Sequence, residues 1–164
     1  RAVMERTLQT CRRYAYSFSE KSGNLLFSGD TGLGKTFLSA CIANAVTEMG
    51  YSVAYESAPQ LFAKLEKDRF NPTEESRLEA ANFQSCDLLI IDDLGTEMPG
   101  SFVTAALYAL VSQRLTDGKA MIIYTNLLSE EIAKRYSPQI ASRLQGNFRG
   151  LTFVGQDIRI LKSK

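Results

Sequence analysis

Apolar residues recur every three or four positions in several stretches of the chain, a spacing that predicts amphipathic helices with one buried face. The clearest stretch runs from residue 35 to residue 49 and ends before Gly50, a residue type that commonly stops helices. Its apolar positions are Phe37, Leu38, Cys41, Ile42, Ala45, Val46 and Met49. The same spacing predicts helices over residues 3–18, 58–70, 74–83 and 102–115, and further helices after residues 129 and 138.

Short apolar runs between these helices predict five strands, over residues 24–28, 52–55, 88–91, 120–125 and 151–154. The run 88–91 is apolar at every position, as parallel strands covered on both faces are. Strands that alternate with helices indicate a parallel sheet between helical layers. We therefore predict an α/β fold, a three-layer α/β/α sandwich around a five-stranded parallel sheet. Residues 1–22 are expected to form a leading helix or linker, and residues 23–164 one domain.

The chain has 164 residues, which is the size of one compact domain. Its 19 basic and 18 acidic side chains give a net charge of +1, so no overall field indicates a nucleic acid or membrane partner. Basic residues concentrate in 1–22 and 128–164, and acidic residues in 56–97. Two interpretations stay open: the basic ends form a face for a polyanion or for the acidic middle of another copy, or they are solvated helix faces.

The sequence contains no histidine, which excludes imidazole general bases, histidine-ligated zinc and Ser-His-Asp or Cys-His triads. Cys11, Cys41 and Cys86 form no CxxC pair, so neither a zinc cage nor a disulfide framework is expected. The apolar stretches are far shorter than the roughly 20 residues of a membrane span. We expect a cytoplasmic protein with no membrane partner. Because the chain opens on Arg1 rather than methionine, we also expect a further portion upstream.

Residues 29–36, Gly-Asp-Thr-Gly-Leu-Gly-Lys-Thr, fit the pattern G-x-x-x-x-G-K-[ST] in full and lie between a predicted strand and a predicted helix. Glycines allow such a loop to turn its N–H groups inward around phosphate oxygens, and the following helix adds its positive amino end. Lys35 is expected to contact the β- and γ-phosphates, and the Thr36 hydroxyl to ligate Mg²⁺. The residues predicted to bind the nucleotide are Gly29, Asp30, Thr31, Gly32, Leu33, Gly34, Lys35, Thr36 and Phe37.

Polar side chains follow two of the predicted strands, at the edge where open α/β sheets bind ligands. Asp92 is expected to emerge at the tip of the strand 88–91 and to hold Mg²⁺, through water, together with Thr36. Asp93 lies next to it and is predicted to orient or deprotonate the attacking water. Asn126 follows the strand 120–125 and either hydrogen-bonds that water or caps a turn or helix.

The motifs GDTGLGKT, LLIIDDLG, YTN and SRL, in this order and at this spacing, resemble the AAA+ ATPase domain of the DnaC/DnaI family of bacterial replicative helicase loaders. The resemblance covers nearly the whole chain. The loop and the acidic motif are shared by many P-loop ATPases, whereas residues 24–27, 92–95 and 155–159 look like loader sequences more specifically. The IstB-like transposition helper ATPases are close relatives of these loaders.

The resemblance implies a role for each polar residue of the predicted site. Lys35 and Thr36 match the Walker A pair, Asp92 matches the Walker B carboxylate, and Asn126 matches sensor 1. Asp93 stands where many AAA+ proteins have glutamate, which implies slow or partner-stimulated hydrolysis of ATP to ADP and phosphate. Arg143 matches an arginine finger that acts on ATP held by the adjacent subunit. Few residues follow the last predicted strand, so the small helical lid of AAA+ proteins is expected to be absent or reduced.

The resemblance further implies that ATP-bound subunits self-associate, contact single-stranded DNA and help to place a hexameric replicative helicase. The helicase would be met by a portion upstream of this chain. Residues 59–83 stand where initiators and loaders carry an added helix facing DNA, and the leading helix near residues 14–18 is expected to pack close to the adenine. Glu66 and Asp68 leave an ordinary mixed-charge helix open. The candidate DNA-contacting residues are Lys64, Lys67, Arg69 and Phe70.

Several other functions are compatible with a phosphate-binding loop. An IstB-like transposition helper remains open, and so does a nucleotide-gated binding module with little hydrolysis, because of Asp93. A GTPase switch would use residues 92–95 as D-x-x-G, but no N-K-x-D motif for guanine follows. A small-molecule kinase would need a substrate pocket and lid arginines, which the sequence does not reveal.

Overall fold

The computed structural model describes residues 2–29 and 34–153. Helices and strands alternate along these residues in the predicted order. The helices are α1 (Ala2–Tyr16), α2 (Lys35–Glu48), α3 (Ala58–Phe70), α4 (Glu74–Ser85), α5 (Ser101–Thr116), α6 (Ser129–Arg135) and α7 (Pro138–Asn147). The strands are β1 (Asn24–Gly29), β2 (Val53–Ser57), β3 (Leu88–Leu94), β4 (Ala120–Thr125) and β5 (Phe148–Phe153).

The strands form one sheet in the order β2-β3-β4-β1-β5, and every neighbouring pair is parallel. The predicted α/β fold around a five-stranded parallel sheet is therefore confirmed. Parallel strands place all their carboxyl ends at one edge of the sheet, and β3, β4 and β1 are direct neighbours. The segments that follow these three strands consequently meet at that edge.

Two hydrophobic cores, one on each face of the sheet, explain why the central strands are apolar at every position. Leu89 and Ile91 belong to the core that β3 shares with helices α3 to α7. Leu88 and Ile90 belong to the opposite core, which includes side chains from α1 and α2. All four side chains are fully buried. Since successive residues of a strand point to opposite faces, a strand between two cores needs no polar face.

Local signals set the ends of α3 and α4. The Ser57 hydroxyl accepts a hydrogen bond from the N–H of Gln60, and a proline stands in the first turn of α3. Thr73 and Ser76 satisfy each other's backbone N–H groups in a capping box at the start of α4. Helix α3 accordingly has the predicted bounds.

The last strand differs from its predicted position. It begins at Phe148 rather than at residue 151, and Phe148 pairs with Asn24 of β1. Arg149 and Gly150 follow Phe148 and are both exposed, so the apolar run that marks a buried strand starts only afterwards. Residues 154–164, which include the motif 155–159 and the region where a lid would follow, lie outside the described residues.

Helix length also decides whether a helix could cross a membrane. The longest described helix is α5, with 16 residues. Across residues 2–29 and 34–153, none of the helices is both long and apolar enough to cross a bilayer.

Candidate nucleotide-binding site

The site begins at the turn between β1 and α2. Gly29 and Gly34 have φ angles of 128° and 88°, in the region that favours glycine. A Cβ on Gly29 would also lie 2.3 Å from the carbonyl oxygen of Phe153 on the neighbouring strand β5. Gly29 is therefore required both by its backbone conformation and by the close approach of β5. Residues 30–33, which complete the predicted loop, lie outside the described residues.

Lys35 is the first residue of α2, and its side chain contacts the ends of two strands. Its side chain is buried, and its Nζ donates hydrogen bonds to the carbonyl oxygen of Gly29 and to Oδ1 of Asn126, the latter at 2.8 Å. The first contact lies at the end of β1, and the second directly follows β4. The ammonium group is thus held at the carboxyl edge of the sheet, beside the predicted phosphate loop.

Asp92 does not emerge at a strand tip, as the sequence predicts, because β3 continues through Leu94. The register between β3 and β4 shifts between the pairs Ile91–Ile123 and Leu94–Thr125, so β3 carries one extra residue in a bulge. Asp93 in this bulge has a φ of 53°, a left-handed conformation. The bulge leaves Asp92 buried and Asp93 exposed.

The Asp92 carboxylate has different surroundings at its two oxygens. Tyr55 donates its hydroxyl proton to Oδ2 across 3.2 Å, whereas the buried Oδ1 has no hydrogen-bond partner among the described residues. Burial raises the pKa of Asp92; hydrogen bonding from the phenol of Tyr124 opposes this rise, and the neighbouring charge of Asp93 adds to it. An unsatisfied buried carboxylate oxygen is costly, and a cation beside it would remove the cost.

The hydroxyl of Thr36 lies in the same cluster, 2.6 Å from the phenol oxygen of Tyr124. A carboxylate and a hydroxyl are the kinds of oxygen ligand that Mg²⁺ prefers. The donor set at this edge therefore fits a hard divalent cation. The structure brings together four of the residues selected from the sequence: Lys35, Thr36, Asp92 and Asn126.

Arg143 lies apart from this cluster, on helix α7. Its Nη2 donates to the hydroxyl of Tyr108 on α5 at 3.0 Å, and its guanidinium carbon lies 5.1 Å from the centre of the same ring. Tyr108 is exposed, whereas Arg143 is half-buried. The hydrogen bond to Arg143 is the main cause that lowers the pKa of the Tyr108 phenol. Phe37, at the start of α2, is also exposed.

The segment after β3 is fixed by a second polar cluster that the sequence analysis missed. The buried Glu97 carboxylate accepts hydrogen bonds from the N–H of Gly95, at 2.9 Å, and from the hydroxyl of Tyr136. Arg135 donates to the carbonyl oxygen of Glu97, and its Nε lies 3.6 Å from Oε1 of the carboxylate. A Cβ on Gly95 would come within 2.7 Å of Leu127, which follows Asn126. The segments that follow Asp92 and Asn126 are therefore packed against each other.

Tyr55 and Tyr124 were also missed as parts of the site. Tyr124 is an aromatic residue in a mainly aliphatic strand, β4, two positions before Asn126, and this change of residue type is the signal that sequence reasoning had available. Tyr55 lies on β2, next to β3. Nothing in its local sequence distinguishes it from a packing residue.

Residues 14–18, which are expected to pack near the adenine, contact the segments that precede β1 and β2. Tyr14 donates its hydroxyl proton to the carbonyl of Gly23, which precedes β1, and Phe18 packs on Tyr51, which precedes β2. Residues 14–18 therefore lie at the amino edge of the sheet, opposite the phosphate loop. A helix pattern indicates which residues are buried but not which way the helix runs, and it is the other half of α1 that reaches β5, where Thr7 donates to the carbonyl of Thr152.

Helix α3 carries the candidate DNA-contacting residues, and one of its lysines forms ion pairs as in an ordinary mixed-charge helix. Lys64 is paired with Glu56 at 2.5 Å and with Glu79 at 3.4 Å. Phe70 is exposed, and its ring centre lies 5.6 Å from that of Phe102. Lys64 is thus engaged within the protein, while Phe70 remains at the surface.

Comparison with known proteins places this site in a family. The sequence model described as IstB-like ATP binding protein matches residues 2–141. The chain belongs to this IstB-like ATP-binding family. The resemblance to helicase loaders and their IstB-like relatives is thereby confirmed at the level of the family.

Relatives of this IstB-like chain include both loaders and an insertion-sequence protein. The replicative helicase loader DnaC of Buchnera aphidicola subsp. Schizaphis graminum is 28% identical over 159 residues, which cover 94% of this chain and 63% of the loader. A Sinorhizobium fredii protein named for an insertion sequence and for ATP binding is 34% identical over 106 residues, covering 65% of this chain and 35% of that protein. The chain thus spans less than two thirds of the length of either relative.

The fold of this IstB-like chain is similar to that of a solved loader. The crystal structure of the DnaC helicase loader superposes with a TM-score of 0.82 at 22% identity, covering 94% of this chain and 92% of that chain. At this identity the likeness concerns the fold. It agrees with the predicted α/β fold around a parallel sheet.

Proposed function

We propose that this chain is a nucleotide-dependent ATPase domain of the helicase-loader type. The observation that carries the proposal is the cluster at the carboxyl edge of the sheet, in which Lys35 bonds to Asn126 while Thr36 and Asp92 share the phenol of Tyr124. Membership in an ATP-binding family supports it. Residues 23–164 form the ATPase domain in this proposal, and residues 1–22 the leading segment.

Each residue of the cluster has a role in the proposed binding of ATP. Lys35 exchanges its contacts with Gly29 and Asn126 for phosphate oxygens, and its charge offsets theirs. The N–H groups of residues 29–37 and the amino end of α2 hold the phosphates, as the motif predicts. Binding in this way leaves the γ-phosphate at the carboxyl edge, near Asp92 and Asn126.

Mg²⁺, when bound, supplies Lewis-acid stabilisation of the developing phosphate charge. The residues that would hold it are Thr36, through its hydroxyl, and Asp92, through the oxygen that lacks a hydrogen bond among the described residues. Asp93, exposed beside Asp92, accepts a proton from the attacking water or orients it. The amide of Asn126, once released by Lys35, is a second group for that water.

Partners of the proposed domain follow from the loader-like relatives. A hexameric replicative helicase is the proposed client, met through protein outside this chain, and single-stranded DNA is the proposed substrate of the assembled subunits. The name of the Buchnera relative and the similar fold of a solved loader support this proposal. The exposed Phe70 on α3 offers a ring for base stacking.

The decisive test of the function is Mg²⁺-dependent release of phosphate from ATP, measured with and without single-stranded DNA. We expect slow release by the protein alone, because the short Asp93 side chain reaches less far than a glutamate, and faster release when DNA is added. ATP is expected to displace a fluorescent nucleotide analogue more strongly than GTP does. Displacement mainly by GTP would indicate a GTPase, and a phosphorylated small molecule as product would indicate a kinase.

A transposition helper is the second candidate function, favoured by the insertion-sequence relative. A third outcome of the same assay is nucleotide binding without phosphate release under either condition. That result would replace the ATPase by a nucleotide-gated binding module.

Self-association is proposed to complete the site with Arg143 of the adjacent subunit. Its guanidinium supports this role because it lies beside the exposed Tyr108 at the surface of α5, where another molecule could reach it. Neither Arg143→Ala nor Lys35→Ala protein is expected to hydrolyse ATP alone. A mixture of the two should recover turnover, because a Lys35→Ala subunit still offers its arginine to a neighbour that binds ATP. Phosphate release across a series of mixing ratios measures this.

A matched control uses a second arginine. Arg149 lies on β5, and Arg149→Ala protein is expected to hydrolyse ATP without any mixing. If the mixture of Arg143→Ala and Lys35→Ala proteins stays as inactive as its components, Arg143 does not act between subunits.

A further inference from the structure

Two tyrosine hydroxyls connect the proposed metal-binding groups to the sheet. Tyr124 is 1% exposed, and its phenol oxygen lies 2.6 Å from Oγ1 of Thr36 and faces the carboxylate of Asp92. The phenol of Tyr55 contacts Oδ2 of Asp92 at 3.2 Å. Both tyrosines come from strands, β4 and β2, whose backbones are fixed by pairing with β3 on either side. The two phenols are therefore held at defined positions around Asp92.

The directions of these hydrogen bonds follow from the number of protons. A carboxylate only accepts, so we assign the single phenol proton of Tyr124 to Asp92. With that assignment Thr36 is the donor in its contact with Tyr124, and the phenol oxygen is the acceptor.

This arrangement leaves one oxygen of Thr36 and one oxygen of Asp92 available to bind a cation. The O–H of Thr36 points to Tyr124 as a hydrogen-bond donor, so both lone pairs of its Oγ1 are available to a cation. Asp92 accepts from Tyr55 at Oδ2, whereas its Oδ1 has no hydrogen-bond partner within the described part of the chain. A metal ligand that donates a hydrogen bond to a neighbouring group becomes a more basic ligand.

We propose that Tyr124 is a positioning residue that accepts the hydrogen bond of the Thr36 hydroxyl and orients Asp92, so that Oγ1 of Thr36 and Oδ1 of Asp92 face a divalent cation bound with the nucleotide. Tyr55 assists by holding the second oxygen of Asp92. This inference rests on the proposed nucleotide site and adds residues that lie outside its motifs. In this proposal each tyrosine acts through a metal-binding group, and neither is assigned a contact with the nucleotide phosphates.

The expected effect is on binding of the cation, and not on binding of the nucleotide by itself. Loss of an outer partner of a metal ligand commonly weakens metal binding by 10- to 100-fold. We expect Tyr124→Phe to raise the Mg²⁺ concentration for half-maximal tightening of nucleotide binding by about 10-fold. Binding of the nucleotide in EDTA should stay as in the unchanged protein, since Lys35 and the loop N–H groups carry it.

The experiment titrates Mg²⁺ into the full chain in the presence of a fluorescent ADP analogue and follows the analogue by anisotropy. Tyr14→Phe is the matched control: Tyr14 belongs to the same core, and its hydroxyl bonds to the Gly23 carbonyl at 2.9 Å, at the opposite edge of the sheet. The control should require the same Mg²⁺ concentration as the unchanged protein. Thermal unfolding in EDTA verifies that each variant is folded.

Each outcome decides between the inference and the site on which it rests. An unchanged Mg²⁺ requirement in folded Tyr124→Phe protein overturns the role of Tyr124 and leaves the proposed function intact. If Tyr124→Phe does not fold, Tyr55→Phe gives the answer, with a raised Mg²⁺ requirement expected and an unchanged one overturning the inference. Failure of the unchanged protein to bind the analogue would remove the nucleotide site itself, and the inference with it.

Discussion

Replacing Lys35 with alanine is expected to abolish nucleotide binding at micromolar protein concentrations. The buried ammonium group already lies beside Gly29 and Asn126, so it can pair with the phosphates of a nucleotide with little rearrangement. A hydrogen bond to a charged group contributes about 1.5–3 kcal/mol. Loss of two such bonds to phosphate corresponds to at least about 100-fold weaker binding. Anisotropy of a fluorescent ATP analogue measures this.

Lys119→Ala is a suitable control because it removes the same group at the amino edge of the sheet. Lys119 lies 3.8 Å from the carboxylate of Asp87, which precedes β3. This variant should bind the analogue like the unchanged protein. Equal binding by Lys35→Ala and Lys119→Ala would contradict the proposed phosphate site.

Replacing Asp92 with asparagine is expected to separate binding from hydrolysis. Asparagine has nearly the same shape but lacks the negative charge, so the contacts of Lys35 and the loop with the phosphates remain. Because removal of an outer partner alone costs 10- to 100-fold, loss of the ligand's charge should lower phosphate release by about 100-fold or more. Analogue binding and phosphate release, measured on the same preparation, test both parts.

The stability of the Asp92→Asn protein provides an independent measurement. Burial raises the pKa of Asp92, which means that the folded state disfavours the ionised form. Such an acid lowers stability above its unfolded pKa near 4, and the loss grows as pH rises through the folded pKa. At neutral pH without Mg²⁺, we therefore expect the asparagine variant to unfold at a higher temperature than the unchanged protein.

Asp87→Asn serves as the control for this second prediction. Asp87 precedes the same strand and accepts hydrogen bonds from the N–H and hydroxyl of Ser52, and these contacts lower its pKa. The control should retain turnover and lose stability above pH 4, the opposite pattern to Asp92→Asn. Equal turnover in Asp92→Asn and unchanged protein would contradict the assignment of Asp92.

The parts of the molecule that depend on local sequence were predictable. Helix α3 has the predicted bounds because Ser57 and Pro59 start it and Asn71-Pro72 end it. The four residues of the central cluster were also selected correctly as neighbours, since parallel strands bring their carboxyl ends to one edge. Lys35 and Asn126 meet for this reason although 91 positions separate them in sequence.

Features that depend on pairing between distant segments were not predictable in this way. The bulge at Asp92 and Asp93 arises from the register of β3 against β4, and no local pattern encodes a shift between two strands. The position of Tyr55 beside Asp92 depends equally on strand order. The start of β5 was missed because Arg149 and Gly150 are polar or small, and it is backbone pairing with β1 that makes this segment a strand.

The left-handed backbone at Asp93 ties the choice of acid at this position to the shape of the strand. Residues with a side chain enter that conformation at a cost of roughly 1–2 kcal/mol, which aspartate and asparagine reduce by bonding locally. A glutamate here would gain reach toward water but lose that local compensation. In the proposed ATPase, a longer acid at this position would thus need a second change that removes the left-handed conformation, so the rate of hydrolysis and the shape of the strand could not be altered separately by one substitution.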